Sequence, residues 1–287
     1  MSGERLRQLC VMLGALLVPL ALAFSFERTA AAAEARPAFE EAVTAIERGA
    51  YGDAIDRLEL LADQGFVHPD ASFDRAVAYL GRARSPQRQP GDLGRAAAAL
   101  AETLALRPDD HAAESALDAV RAEIGRRRAH HGGAPLIAKP RLLRALVGLL
   151  PETAWGVIGA LGSASLAWGL ALRLFVRRTS TEVPGALAIG IGALLLCVGG
   201  GLALEARHFR KSSTLAVVVV PEARLLDESG RPLPVSANAE TNVVPEGAEV
   251  YVLERRGALD RVEWGTTDGF VIAGQVREVE PHAGTAP

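Results

Sequence analysis

The sequence predicts a multidomain membrane protein made of an all-α helical-repeat module, a two-helix transmembrane hairpin and a small all-β barrel. Three observations lead there. Two uncharged runs, 153–172 and 183–204, stand almost back to back, and each is about the ~20 residues a helix needs to cross a bilayer core. Before them, an Ala-rich segment repeats an apolar helical pattern at a spacing of 34 residues, the period of a helix-turn-helix array. After them, the pattern changes to short alternating runs between Gly, Pro and Asn turns, as strands do.

The hairpin occupies 145–206. In water, runs this apolar would need burial on every side, whereas lipid supplies that environment and a helix satisfies its own backbone. Trp155 and Trp168 sit near the two ends of the first run, Pro151 and Pro184 stand where helices begin, and Arg173, Arg177 and Arg178 mark the short connection. Small residues four apart, Gly159 with Ser163, Ser165 with Gly169 and Ala186 with Gly190, let two helix backbones approach closely. Neither run holds an ionisable residue mid-span, so Glu152, Ser163 and Ser165 do not make an ion pathway.

At the start of the chain, Arg5 and Arg7 precede the apolar stretch Leu9 to Phe26, and an Ala-rich segment follows Glu27 and Arg28. This is the order of a secretory signal, predicted over 1–33, with an uncleaved signal anchor as the alternative. The chain beyond it is expected to be exported.

Residues 36–128 form the repeat module. Phe39, Ala42, Val43 and Ile46 return 34 residues later as Phe73, Ala76, Val77 and Leu80, while Gly49, Ala54, Ile55 and Leu58 return 42 residues later as Gly91, Ala96, Ala97 and Leu100. The difference of eight falls in 83–90, ARSPQRQP, an extended loop. Helices are expected near 37–48, 51–64, 70–84, 91–106 and 109–127. The last is a cap with Leu117, Val120 and Ile124 on one face. The Ala and large-apolar pairs, with Pro108 closing the second unit, resemble tetratricopeptide repeats. In that register Phe39, Val43, Ile46, Phe73, Val77 and Leu80 line an inner face, either as a groove for a polypeptide or as core against a neighbouring element.

Residues 129–144 read as a linker. His130 and His131 are adjacent and have no Cys, Asp or Glu close by, so a solvated segment explains them better than a metal site.

From 212 to 280, strands are expected at 215–220, 222–226, 248–255, 259–264 and 268–274, followed by a tail at 281–287. The Val-rich opening strand, VVPEGAEVYVLERRG, and the Gly269, Phe270, Val271 motif resemble a bacterial SH3 domain. Tyr251, Trp264 and Phe270 form its aromatic set, and a domain this small needs most of its aromatics inside.

Composition excludes several classes. The chain has 31 basic and 34 acidic residues, and only Lys139 and Lys211 are lysines. No basic excess exists to displace phosphate counterions, which argues against nucleic acid. From 212 onward 12 acids face 6 bases, as a solvated surface would. Cys10 and Cys197 both lie in apolar runs and offer no disulfide framework. No nucleophile with its base, carboxylate pair or metal triad is recognisable, so no enzyme, cofactor or metal is expected.

Taken in order, the signal segment, repeats, hairpin and C-terminal module resemble the BatE proteins of the bacterial aerotolerance (Bat) operon. That resemblance implies an inner-membrane scaffold in envelope maintenance or stress tolerance. It also implies von Willebrand A-type membrane proteins as partners and, indirectly, a MoxR-type ATPase. A peptidoglycan-binding anchor is the alternative. The signal places both soluble modules in the periplasm and the Arg-rich connection in the cytoplasm; the charges flanking the hairpin are too evenly spread to decide this alone.

Overall fold

The computed structural model describes residues 35–130, 141–175, 182–234 and 242–279. The expected signal segment, most of the linker, Arg177 and Arg178, and the tail lie outside the described residues. The chain divides into two compact units, one reaching Arg127 and the other running from Arg128 to Glu278.

The first unit is five helices: α1 (35–47), α2 (Tyr51–Asp63), α3 (Pro69–Ala83), α4 (Asp92–Leu106) and α5 (His111–Ala129). Their starts follow local chemistry. Pro69 opens α3 behind His68, whose ring accepts from the Asp70 amide. Asp110 accepts from the amides of Ala112 and Ala113 at the start of α5. The related alanines have the same environment: Ala42, Ala76, Ala54 and Ala96 are all 0% exposed. A side chain added at Gly81 would strike the Tyr51 ring, so α2 and α3 also touch across a glycine.

Charge is buried in this unit as well. On α3, Arg75 and Arg82 lie seven residues apart on one face and are both buried. Arg75 pairs with Glu102 of α4 and approaches Glu59 of α2, which also accepts from the Tyr79 hydroxyl at 2.7 Å. Arg82 donates from Nε and Nη2 to Asp92, the first residue of α4, with a closest approach of 2.6 Å. The amide of Gln89 donates to the same carboxylate at 2.8 Å. The expected extended loop at 83–90 is therefore a set of short turns closed at its base by one ion pair.

The second unit begins with α6 (Leu142–Val147), followed by α7 (Glu152–Phe175) and α8 (Glu182–Ser212). Two segments of it, Glu152–Leu174 and Val183–Ser212, are long and apolar enough to cross a membrane, and only 17% and 11% of their apolar windows are buried. A core helix of a water-soluble protein would be mostly covered. The linker expected at 129–144 is corrected at both ends, since α5 reaches Ala129 and α6 starts at Leu142. The second span is also longer than expected. Its 30 residues extend about 45 Å at the helical rise, well beyond a ~30 Å hydrocarbon core, and only Ser213 separates it from the first strand.

Helices α7 and α8 meet through glycine. A Cβ on Gly162 would lie 2.4 Å from the Leu196 amide, and one on Gly192 would lie 2.5 Å from the Leu166 amide. Gly159 faces Gly199 and Gly200, and Gly169 faces Gly185. Gly185, Gly192 and Gly199 recur every seven residues, the period that keeps one seam turned to a partner helix. Of the expected four-apart pairs, Gly159 and Gly169 lie in this seam and Ser165 donates to the Ala188 carbonyl at 3.1 Å. Ser163, Ala186 and Gly190 face outward, because the seam follows a heptad rather than a strict four-residue step.

The sheet domain follows. A five-stranded antiparallel sheet runs in the order β6-β5-β4-β1-β7, built from β1 (Thr214–Val218), β4 (Glu249–Arg256), β5 (Leu259–Trp264), β6 (Thr267–Ile272) and β7 (Val276–Glu278). A ribbon of β2 (Glu222–Arg224) and β3 (Val243–Pro245) completes it. The five expected strands are present; β3 and β7 are additional, each only three residues and too short to show alternation. The expected barrel is corrected to an open sheet. Leu226 and Phe270 exchange two backbone hydrogen bonds, at 2.7 and 2.9 Å, which tie the ribbon's chain to the edge strand β6 without closing the ladder. Gly269 permits that approach, since a Cβ there would sit 3.0 Å from the Leu225 Cβ. Gly257 and Gly265 take positive φ in the tight turns on either side of β5. The core joins Ala216, Val218, Val250, Val252, Val262 and Val271 of the sheet to Ala223 and Val244 of the ribbon and to Leu225 just after β2.

Removing one member of a buried ion pair strands the other charge. Asp92→Ala should therefore destabilise the helical unit by about 3–5 kcal/mol, read as a lower midpoint of helix loss in denaturant. A second expectation concerns pH. Burial raises the Glu123 carboxyl, but hydrogen bonds from Arg84 and Arg127 outweigh it and hold the group below its usual range. A depressed pKa stabilises the fold above the ordinary carboxylate range, and that contribution is lost as pH falls through the folded-state value. Glu123→Gln should show a shallower acid-side loss of thermal stability than the parent chain.

Candidate functional site

Strand register builds the most organised polar site among the described residues. Tyr251 on β4 stands opposite Glu263 on β5, which stands opposite Asp268 on β6. Directly paired residues project to the same face of a sheet. Their neighbours Val250, Val252 and Val262 point to the other face and fill the core. One strand pattern thus makes an apolar face under the ribbon and an acidic, aromatic row on the opposite side.

Helix α6 supplies the opposite charge. Arg144 donates from Nη2 to Glu263 Oε2 at 2.8 Å, and its guanidinium carbon lies 3.8 Å from the Tyr251 ring centre and 4.6 Å from that of Phe209 on α8. Arg141 donates to Asp268 at 2.8 Å and approaches Glu263 at 3.6 Å. Glu263 and the Arg144 side chain are nearly excluded from water. The Arg144 Nε finds no hydrogen-bond acceptor among the described residues, so the two aromatic faces and the one carboxylate offset its desolvation. Two further bonds fix the surroundings: the Trp155 indole donates to the Val147 carbonyl at 3.1 Å, and Arg210 pairs with Glu152 at 2.8 Å. The arrangement joins the sheet domain to the end of the hairpin through ion pairs and cation–aromatic contacts. It has no free nucleophile or open carboxylate pair, and no metal-binding group of His, Cys, Asp and Glu occurs among the described residues.

The residues singled out from sequence separate into distinct environments. Trp264 belongs to the sheet core. Phe270 is buried with the Arg256 guanidinium over its ring at 5.7 Å, and Tyr251 is half-buried beneath Arg144. In the helical unit, Phe39, Ile46 and Leu80 are half-buried and packed on core clusters. Val43, Phe73 and Val77 are half-buried and belong to neither cluster. By sequence Arg141 and Arg144 are charges flanking a span, and nothing in it marks Glu263. A signal for the arginines is nonetheless present: in LLRALVGLL the leucines at 142, 143, 146, 149 and 150 fall on one helical face, which leaves Arg141 and Arg144 together on the other.

No family model, curated protein or solved structure matches the chain. The functional reading therefore rests on these residues.

Arginine cannot be replaced conservatively where it is stacked and buried. Arg144→Ala should cost about 3 kcal/mol or more and raise amide hydrogen exchange through β4 and β5 of the detergent-solubilised chain. Arg144→Lys should recover only part of that protection; full recovery would mean that charge alone matters.

Proposed function

We propose that this protein is a non-catalytic membrane scaffold, in which the helical unit is a tetratricopeptide-like module that holds a polypeptide and the sheet domain is an SH3-like module fixed at the membrane surface. The observation that supports it best is the Arg144 junction. A domain bolted to the end of a hairpin by a buried ion pair, and joined to it through one residue after α8, is suited to presenting a surface at constant height and orientation. Catalysis would need open reactive groups instead. The module order makes the protein BatE-like in this reading. Its partners are then von Willebrand A-type membrane proteins with a MoxR-type ATPase behind them, and the setting is the bacterial inner membrane with both modules in the periplasm. Peptidoglycan is the ligand of the second reading, for which the sheet domain's aromatic residues give little support: Trp264 and Phe270 are buried and Tyr251 is covered.

Within the helical unit, Val43, Phe73 and Val77 are the half-buried candidate-groove residues outside the two core clusters described above, and they define the test. A membrane-impermeant cross-linker anchored at Leu60→Cys, an exposed position on α2, should capture a partner in spheroplasts. Val43→Asp combined with Val77→Asp should abolish the adduct while far-UV helicity stays intact. Loss of helicity would assign both valines to the core, because buried new carboxylates unfold a module. An adduct formed only in inverted vesicles would reverse the orientation.

A further inference from the structure

The junction leaves one surface unexplained. Helix α6 turns Arg144 and Val147 toward the rest of the unit, where both are buried or nearly so. Its opposite face and the turn after it are rich in leucine. Leu142 and Leu149 are 77% and 69% exposed, and Leu143, Leu146 and Leu150 are also exposed. Five leucines on one face of so short a segment would be costly to leave in water.

We infer that α6 and the turn after it lie in the lipid interface, with this leucine face inserted at the boundary between headgroups and acyl chains. The inference rests on the reading of α7 and α8 as membrane spans and adds a third, non-spanning attachment. Position supports a lipid occupant. The Val147 carbonyl is bonded to the Trp155 indole, and tryptophan marks the interfacial level of a span. Arg144 lies on Phe209, which stands in sequence among Arg207, Arg210 and Lys211 near the end of α8. The Glu152 to Arg210 ion pair sets the polar boundary at the same level. On α7, Val157 and Leu161 are exposed as well. A helix with an apolar face, a cationic opposite face and this depth is an interfacial helix. Its cations are occupied by Glu263 and Asp268, so the same segment grips lipid on one side and the sheet domain on the other.

The test uses the full chain with Cys10→Ser and Cys197→Ser, reconstituted in phospholipid vesicles. Leu142→Cys, Leu146→Cys and Leu149→Cys are made singly and labelled with an environment-sensitive fluorophore. Leu194→Cys on α8 reports the spans, and Glu228→Cys in a turn of the sheet domain reports water. Lipid spin-labelled near its headgroup should quench the probes at Leu142→Cys, Leu146→Cys and Leu149→Cys more strongly than lipid labelled at the chain end does. Lipid labelled at the chain end should quench Leu194→Cys most, and neither should affect Glu228→Cys. If the α6 probes are instead quenched by aqueous iodide as strongly as Glu228→Cys while Leu194→Cys still senses deep lipid, the inference is overturned and the spans stand. Energy transfer between copies, with protection from the spin-labelled lipids and from iodide alike, also overturns it by making a second copy the occupant. Failure of Leu194→Cys to sense lipid overturns the membrane reading and this inference together.

Discussion

A single guanidinium group organises the second unit. Arg144 is charged, almost dry and reached by one close carboxylate, so its place is stable only while Glu263, the Tyr251 ring and the Phe209 ring are all present. Each comes from a different element: β5, β4 and α8. Strand register brings two of them side by side, and the continuation of α8 past the lipid-length part of its run supplies the third. Arginine suits this position because a planar cation can accept two aromatic contacts and still donate in its own plane.

The two units solve close packing with the same kind of residue in different surroundings. In the helical unit, Ala42, Ala54, Ala76 and Ala96 are fully buried and let helices approach in water. In the hairpin, Gly159, Gly162, Gly192 and Gly199 bring α7 and α8 closer still, to distances at which a Cβ would meet backbone atoms. The difference has a physical origin. In water, burying an alanine methyl is itself favourable. Helices α7 and α8 are long and apolar enough to cross a membrane; between helices packed in lipid that driving force is absent, and contact comes from backbone proximity and packing.

Buried charge recurs with different tasks. Arg82 and Asp92 close the base of a proline-containing loop, so an insertion that would otherwise separate α3 from α4 becomes a fixed turn. Arg75 joins α2, α3 and α4 through Glu59 and Glu102. Such pairs contribute less to net stability than equal apolar volume would, but they penalise any packing that parts them. The helices of this unit are so rich in alanine that specificity of that kind matters, since methyl groups alone discriminate poorly between registers.

The sequence alone determined what depends on local period and composition. The two apolar runs and the alternation in 248–255 and 259–264 each carry their element in a single stretch of chain. Pro69 and Gly257 likewise mark a helix start and a turn by backbone preference alone. Tertiary structure decided what depends on residues distant in the chain. Arg144 reads as a flanking charge until strand register sets Glu263 beside Tyr251, and Asp92 reads as a solvated helix start until Arg82 reaches it. The choice of Gly185, Gly192 and Gly199 over Ala186 and Gly190 as the helix seam also depends on the partner helix. The barrel expected from strand count gave way to an open sheet because closure requires ladder partners at both edges, and β2 and β3 are too short to provide them. Periodicity reports which face of an element is apolar; only the assembled elements decide which charge is removed from water and what pairs with it.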